Sequence, residues 1–369
     1  MKVKDVTNYL ETIAPLQLQE EYDNAGLIIG NGDDQIKGVL ICLDITDEVL
    51  NEAVNTNCNL IIAHHPLIFT GLKKINDSSY PSSCVYKAIQ HAISIYAIHT
   101  NLDNVSHGVN GKIAEILNLN GRQILKPLNN LLKLAFYVPN DHLEKVRNAV
   151  FEAGAGHIGL YSNCSFSSAG QGTFLPHDGA SPFSGKLNEL SIEKEQKLET
   201  ILPNFKLNEV IAAMKLSHPY EEVAYDVYPM LNSSNYGSGL IGELENDMSE
   251  IEFLTQLKSK FHVSSIRHTQ LLNKKVKRVA VCGGSGSFLL PNAISKKADI
   301  FITSDFKYHQ FFDANNQILI ADIGHYESEQ FTIDLIGDIL MKKFTNFAIR
   351  LTSVNTNPCL LYTSDAADE

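Results

Sequence analysis

Two adjacent histidines are the sharpest chemical feature of the sequence. His64 and His65 end the apolar run 60–65, and Pro66 stops the predicted strand directly after them. Adjacent residues on a strand point to opposite faces, but both imidazoles can face one crevice once the strand has ended. In open α/β sheets, ligands bind in the crevice beyond the carboxyl ends of the strands. Taken alone, the pair could also be two surface histidines that are adjacent by chance.

A histidine and a carboxylate follow the next predicted strand, over 93–100. His99 and Asp103 come at and just beyond its carboxyl end. If this strand is a parallel neighbour of 60–65, Asp103 lies close to the His pair. Asp103 could instead be a turn residue, and His99 is favoured as a group that orients a metal ligand from behind.

The far end of the chain supplies a matching pair of residues. His325 and Glu329 follow the strand predicted over 317–324 and, being four residues apart, share one helical face. Five candidate ligands for two divalent ions result: His64, His65, Asp103, His325 and Glu329. Histidine with carboxylate suits Zn²⁺, Mn²⁺ or Fe²⁺ without selecting one of them. Two ions about 3.5–4 Å apart would share a water, lower its pKa and stabilise a developing oxyanion.

Weaker candidates follow the strand predicted over 298–305. Asp305 and His309 are tentative catalytic residues, since a proton-transfer group must lie within hydrogen-bond reach of the attacking water. Asp305 could instead cap a helix. The glycines of the turn 283–286 match no nucleotide-binding fingerprint, although their backbone N–H groups could face a phosphate.

Apolar strands alternate with helical segments in the first and last thirds of the chain. Strands are predicted over 38–44, 60–65, 93–100, 276–284, 298–305, 317–324 and 347–352. A helix begins after Thr46, and an amphipathic helix is predicted over 326–344. This alternation is typical of βαβ units and predicts an α/β fold with a mainly parallel sheet. We therefore expect two related α/β halves that form one metal-binding domain.

The middle third has a different pattern. It reads β-α-β-β-α-β, the order of a ferredoxin-like α+β unit, and it contains a Gly- and Ser-rich stretch that suits hairpins. The predicted divisions are 1–126 for the first half of the metal-binding domain, 127–230 for the inserted domain and 231–358 for the second half. His218 in the insert could be a ligand, but a position at a helix end is favoured.

Composition and charge exclude several classes of protein. The net charge of −12 over 369 residues argues against a nucleic-acid binder, which carries a basic face. No apolar stretch is long enough to span a membrane, and the start of the chain lacks the pattern of a signal peptide. The six cysteines form no C-x-x-C pair, and Cys42 and Cys282 lie in apolar strands. We predict a cytoplasmic protein without a disulfide framework.

The last eleven residues, 359–369, differ in character from the rest. They resemble the translation of an adapter used in DNA library preparation, and we interpret them as a sequencing artefact. A natural polar tail is the alternative. All five candidate ligands lie before this segment, so none of them depends on it.

Taken together, the motifs carry a family resemblance over residues 1 to about 358. The segments concerned are YDNAGL, AHHP, HTNLDN, GGSG, ITSDFKYH and DIGHYESE. They resemble those of the dinuclear-metal-centre family, also called GTP cyclohydrolase 1 type 2 homologues or NGG-one-interacting-factor-three-like proteins. The segments GAGHIGLYSNCSF and HPYEEVAYD are similar to the nitrogen-regulator-like domain inserted in the longer bacterial members. Ser304 departs from the Gly found in many relatives, which affects a turn and none of the proposed ligands.

The resemblance implies specific roles and an assembly. His65 and Asp103 would bind one ion, His64 and His325 the other, and Glu329 would bridge them. A homohexamer would enclose a cavity that the metal sites face. The implied activity is a metal-dependent hydrolase acting on a nucleotide or a phosphoester, with GTP ring opening as the reaction in the family name. The alternative is a non-enzymatic metal-binding or regulatory hexameric assembly, in keeping with the sensor-like insert.

Overall fold

The computed structural model describes residues 1–360, which fall into two compact units. One unit contains Met1–Pro127 together with the chain from Tyr236 onward, and the other contains Leu128–Asn235. The part of the 359–369 segment beyond residue 360 lies outside the described residues. None of the helices in the described part of the chain combines the length and the apolar character needed to cross a membrane.

The described residues form fifteen strands, numbered in chain order: β1 Gly26–Ile29, β2 Gly38–Cys42, β3 Leu60–Ala63, β4 Ser94–Ala97, β5 Asn120–Pro127, β6 Leu131–Pro139, β7 Ser165–Phe174, β8 Ser191–Pro203, β9 Tyr225–Pro229, β10 Gly237–Ser249, β11 Arg267–His268, β12 Lys275–Ser285, β13 Ile300–Ser304, β14 Leu319–Asp322 and β15 Ala348–Leu351. They also form eleven α-helices: α1 Val3–Ile13, α2 Asp47–Asn55, α3 Tyr80–Gln90, α4 Thr100–Asp103, α5 Val109–Ile116, α6 Leu143–Glu152, α7 Leu207–Ser217, α8 Glu250–Phe261, α9 Leu290–Ser295, α10 His325–Glu329 and α11 Thr332–Lys343.

The first sheet of the larger unit has the strand order β1-β4-β3-β2-β15. Strands β4, β3, β2 and β15 are parallel, and only β1 runs antiparallel to its neighbour. Every residue of β2, β3 and β4 is buried, as expected for continuous apolar runs in a parallel sheet covered on both faces. Helix α2 begins where the sequence predicts, because the Val49 N–H donates to the Thr46 hydroxyl at 3.3 Å.

The second sheet of this unit has the order β11-β14-β13-β12-β10-β5. Its parallel centre, β12, β13 and β14, packs its apolar side chains with α9 in one buried cluster. The two sheets exchange strands at their edges: β5 precedes the insert yet pairs with β10, and β15 from the chain's end pairs with β2. Each sheet is therefore completed by a strand from the other end of the chain.

The smaller unit has one antiparallel sheet with the order β7-β8-β6-β9. Its elements follow in the order β-α-β-β-α-β. Helices α6 and α7 cover one face, where Phe136 and Leu198 pack against Val146, Val210 and Met214.

The α/β class predicted from the sequence is confirmed. One predicted element differs: the helix expected over 326–344 is two helices, α10 and α11, separated at Gln330 and Phe331. Cys42 and Cys282 are buried among apolar side chains, as their strand positions predict.

Candidate metal centre

The candidate ligands stand at the carboxyl ends of three strands. His64 and His65 directly follow β3, and their backbone N–H groups donate to Cys42 and Leu43 at 3.2 and 2.9 Å. These two bonds extend the pairing with β2, so the backbone of the His pair is fixed to the sheet. Asp103 ends the short helix α4, which comes soon after β4.

The second sheet presents its two residues from α10. Gly324 precedes this helix with φ of 95°, a conformation that favours glycine, and the chain turns there from β14 into the helix. His325 and Glu329 occupy the first and last positions of α10. The structure therefore brings together residues that are more than 200 positions apart in the chain, since His65 lies against Glu329.

The Glu329 carboxylate lies at the centre of the cluster and is only 3% exposed. Its Oε2 atom is 3.0 Å from His65 Nε2 and 3.1 Å from His325 Nε2. Its Oε1 atom is 3.7 Å from His64 Nε2, and that nitrogen is 3.8 Å from Asp103 Oδ1. One oxygen of Glu329 thus faces each of two groups of ligands.

This arrangement differs in one respect from the pairing that the resemblance implies. The structure places His65 beside His325, with their Nε2 atoms 3.3 Å apart, and His64 beside Asp103. The resemblance implies the pairs His65 with Asp103 and His64 with His325. Both pairings leave Glu329 as the residue shared by two sites.

Two buried polar atoms in the cluster have no hydrogen-bond partner among the described residues: His64 Nε2 and Asp103 Oδ1. The Nδ1–H of His64 donates to the Ile98 carbonyl at 2.8 Å, so in the neutral ring the Nε2 lone pair points at carboxylate oxygens. A lone pair and carboxylates that face one another repel, and a cation between them converts that repulsion into attraction. The donor set therefore fits a divalent metal ion.

Each of the three candidate ligand histidines is fixed through its Nδ1 atom, on the side of the ring away from the cluster. That of His64 donates to a backbone carbonyl, that of His65 contacts Asp44 Oδ1 at 2.7 Å, and that of His325 contacts Asp305 Oδ2 at 2.6 Å. All three Nε2 atoms are consequently left for the centre of the cluster. This is the pattern by which metal-ligating histidines are oriented in proteins.

The electrostatics of the cluster follow from burial opposed by close pairing. Burial disfavours the charged form of His65, but hydrogen bonds with Asp44 and Glu329 raise its pKa to about 9. The same balance, with Asp305 and Glu329 as partners, raises the pKa of His325 to about 11. Burial raises the pKa of Asp103 to about 7, whereas hydrogen bonds from the imidazoles outweigh burial and lower the pKa of Glu329. The carboxylates thus attract positive charge, for which protons and metal ions compete.

His99 adds a fourth imidazole beside the cluster. Its ring centroid is 5.3 Å from those of His64 and His65, and each of the three rings offers a nitrogen within 4.8 Å of the others. Its Nδ1 contacts Asp23 Oδ1 at 2.7 Å. Although burial opposes ionisation of Asp23, bonds from His99 and Thr100 lower its pKa to about 2. His99 is thus a fixed, partly buried imidazole at the wall of the site.

The side chains of this cluster other than the fully buried His64 line a cavity of about 750 Å³. Its acidic lining residues are Glu20, Asp44, Asp103, Asp305, Asp322, Glu327 and Glu329. Aromatic rings of Tyr22, Phe69, Tyr80, Phe288 and Tyr326 also line it. Arg267 is the one lysine or arginine among the described lining residues, and it pairs with Asp322. Acidic side chains therefore outnumber basic ones in the lining even when His65 and His325 are protonated.

The weaker predictions fare differently. Asp305 lines the cavity, but it does not cap a helix; it has φ of 59° and holds His325. His309 is exposed on the short 3₁₀ helix Tyr308–Ala314 and contacts Tyr308 and Phe312, outside the cavity lining. Its prediction as a proton-transfer group has no support in the geometry, because spacing after a strand does not fix which way a side chain points.

The glycine-rich carboxyl end of β12 serves the cluster in a way that the sequence did not predict. The N–H groups of Gly283, Gly284 and Gly286 donate to side chains of the protein, so these three do not face a phosphate. A Cβ atom on Gly284, whose φ is 59°, would lie 2.3 Å from Glu329 Oε1. A residue with a side chain would not fit at position 284, because the Glu329 carboxylate occupies that space.

His218 in the smaller unit is not available as a ligand. It caps the carboxyl end of α7, as favoured from the sequence. Its Nε2–H donates to the Tyr137 carbonyl at 2.9 Å, and its Nδ1 accepts from the Tyr220 N–H at 3.0 Å. Burial lowers its pKa, which agrees with a neutral ring that uses both nitrogens.

Sequence reasoning missed Asp44, Asp23 and Thr356 as parts of the site. Asp44 follows β2 and could have been found by the same strand-end rule that singled out His64. Asp23 lies in a loop before β1, and the Thr356 hydroxyl donates to Asp44 Oδ2 at 2.8 Å from 312 positions away. Neither of these two has a local signal.

Comparison with known proteins gives a consistent result over the whole chain. The model of the Duf34/NIF3 (NGG1p interacting factor 3) family matches residues 1–358. A Bacillus subtilis protein named GTP cyclohydrolase 1 type 2 homolog is 41% identical over 363 residues, which cover 96% of this chain and 97% of that protein.

Two solved structures resemble this one closely. A Bacillus cereus protein related to NIF3 has a TM-score of 0.83 and 38% identity, with 98% of this chain and 99% of that chain covered. A Staphylococcus aureus protein has a TM-score of 0.78 and 30% identity over the same shares of the two chains.

Proposed function

The chain belongs to the Duf34/NIF3 family, and we propose that it is a dinuclear metal protein that hydrolyses a nucleotide or another phosphoester. The observation that carries this proposal is a pair of buried atoms, His64 Nε2 and Asp103 Oδ1, that have no hydrogen-bond partner within residues 1–360 and face a gap that Glu329 also faces. Two divalent ions would be held by His64, His65, Asp103, His325 and Glu329.

When bound, two such ions lower the pKa of an attacking water and stabilise charge that develops on the substrate. The protein's own groups orient the ligands. Asp44 and Asp305 fix His65 and His325 by their Nδ1 atoms, which directs both Nε2 atoms to one point. We assign Asp305 this positioning role and not that of a general base, because its Oδ2 is already engaged at 2.6 Å.

In this proposal His99 is the residue that transfers a proton to or from the bound substrate. It lines the cavity, is fixed by Asp23, and is the additional imidazole beside the cluster.

The substrate class follows from the charge of the cavity lining. The acidic lining repels anions, so a phosphoester requires the cations for binding, and aromatic rings such as Tyr326 and Tyr22 can pack on a base. GTP is one candidate among such substrates.

The experiment begins with elemental analysis of protein purified without chelator. We expect about two equivalents of Zn, Mn or Fe per chain. The loaded protein is then screened with GTP and a panel of phosphoesters, and the His64→Ala, Glu329→Ala double variant serves as the inactive control. The hydrolase proposal is lost if wild type and double variant turn over every substrate equally. If the metals are present and no substrate is consumed, the alternative of a non-enzymatic regulatory assembly takes its place.

The proposal extends to organisation. We assign 1–126 and 231–358 to one metal-binding domain and 127–230 to an inserted ferredoxin-like domain, and we place the protein in the cytoplasm as a homohexamer. Light scattering on the full chain tests the assembly, since a hexamer has six times the 40.9 kDa mass of the chain.

A further inference from the structure

The smaller unit contains a cavity of its own, of about 870 Å³. It lies on the sheet face opposite to helices α6 and α7. Register places Tyr137, Lys197 and Ser168 side by side on this face, and Glu195 opposite Gly170 one pair along. The segment that follows β7, including Phe183, completes the wall. The volume is within the range typical of small-molecule sites, about 300–1,000 Å³.

Glu195 is the decisive residue of this cavity. It lines the cavity and is 8% exposed, yet no basic side chain of the described residues forms an ion pair with it. The nearby Lys197 instead pairs with Glu199 at 3.0 Å. A Cβ atom on Gly172 would lie 2.1 Å from Glu195 Oε2, so the carboxylate occupies the space left by that glycine. A buried carboxylate without a cation is costly, which makes this position a receptor for positive charge.

Aromatic rings form the wall beside this carboxylate. The centroid of Tyr220 is 6.1 Å from those of Phe174 and Phe183, and all three residues line the cavity. The Tyr220 hydroxyl is buried beside the Glu195 carboxylate. Burial and then the adjacent Glu195 raise the pKa of this hydroxyl, so it remains a neutral donor. His218 accepts a hydrogen bond from the Tyr220 N–H and donates one to the Tyr137 carbonyl. These two bonds fix the backbone of Tyr220 to the sheet.

We propose that this cavity binds an organic cation, a protonated amine carried on a flat or apolar body. Glu195 would pair with the ammonium group, while the rings attract it through their negative faces and cover the apolar body. The remaining charged lining residues agree in sign: Asp178, Glu221 and Glu222 are acidic, against Lys197. This charge distribution disfavours an anionic ligand such as a nucleotide.

The test uses the full chain and phenethylammonium as the probe, with phenethyl alcohol and phenylacetate as the neutral and anionic matches. Isothermal titration calorimetry should show binding of the amine. The alcohol and the carboxylate should bind about tenfold more weakly or worse, since neither offers a positive charge to the buried Glu195 carboxylate. Glu195→Gln should weaken amine binding by a similar factor. Glu144→Gln, at an exposed residue of α6 on the other side of the sheet, should leave it unchanged.

A second variant tests the geometry. Gly172→Ala places a methyl group where Glu195 Oε2 now lies, and it should weaken the amine while an unchanged circular dichroism spectrum reports the intact unit. The proposal is overturned if the amine does not bind at about 10 mM, a concentration that saturates millimolar sites. It is also overturned if amine and alcohol bind alike. If Glu195→Gln instead dissociates the assembly, the face is a contact between copies of the chain.

Discussion

The candidate metal centre and the cavity of the smaller unit each bury a carboxylate, but different side chains surround it in the two places. Glu329 is 3% exposed and has three imidazoles within 3.7 Å. Glu195 is 8% exposed and has aromatic rings, with no basic partner among the described residues. Nitrogen donors with carboxylates favour a metal ion, whereas a carboxylate among aromatic faces favours an organic cation. The surroundings of a buried charge thus indicate the kind of cation it binds.

The largest expected effect is at the shared carboxylate. Glu329→Gln keeps the shape of the side chain but removes the charge that both ions would share. We expect the metal content to fall below one equivalent per chain and turnover to fall by at least about 100-fold, since even residues behind a ligand are worth about 10–100-fold. Elemental analysis and the turnover screen measure these changes.

Matched variants locate that effect in the larger unit. Glu195→Gln removes a buried charge of the other cavity, and His309→Ala removes an exposed imidazole outside the site, so both should keep full metal content. If Glu195→Gln released the metals as well, the two cavities could not be separate cation sites.

The next effect concerns the carboxylates that hold the candidate ligand histidines by their Nδ1 atoms. Asp305→Asn weakens the contact with His325 Nδ1, and we expect the metal affinity to fall by about 10- to 100-fold. Competition with a chromophoric chelator measures the affinity. Asp47→Asn, at an exposed residue paired with Lys87, is the control and should bind metal as the wild type does. Equal affinity of Asp305→Asn and wild type would remove the positioning role.

The same contrast shows what the sequence could predict. His64 and His325 each follow an apolar strand, so the local pattern was enough to place each of them at the carboxyl end of a strand in a largely parallel sheet. Their two strands belong to different sheets, and the local pattern did not predict that the ends of those two sheets meet. Glu195 gave no such signal, because it lies inside β8 where charged residues alternate along the strand, as on any solvent-facing strand. Its burial depends on the segment after β7, which only the folded chain reveals.

Long-range pairing limited the fold prediction in a similar way. The sequence predicted a strand over 347–352 without a partner and no strand at β5, whereas β15 pairs with β2 of the first half and β5 pairs with β10 of the second half. A strand's sequence specifies its buried face and not its neighbour, so the exchange had no local signature. The break between α10 and α11 was missed because apolar spacing continues across Gln330.

A smaller effect concerns the local stability of the sheet around Glu195 when no amine is bound. Without an amine, Glu195→Gln removes a buried charge that has no cationic partner among the described residues, and it should stabilise the sheet by about 1 kcal/mol. Hydrogen exchange of the β7 and β8 amides should slow about fivefold, since exchange reports local opening. Saturating phenethylammonium should reverse the order of wild type and variant. Faster exchange in the free variant would show that Glu195 already has a stabilising partner.

The smallest expected effect comes from the end of the chain. The Thr356 hydroxyl donates to Asp44 Oδ2 at 2.8 Å, and Asp44 Oδ1 contacts His65 Nδ1 at 2.7 Å, so this hydroxyl is linked to a candidate metal ligand through one intermediate group. Thr356→Val should lower the metal affinity by about fivefold, the equivalent of one hydrogen bond of about 1 kcal/mol. Thr352→Val is the matched control, because Thr352 lies in the same segment and donates to Glu52, which contacts no ligand. If both variants lose affinity equally, the segment acts by packing as a whole; loss in Thr356→Val alone assigns the effect to the bond that steadies Asp44.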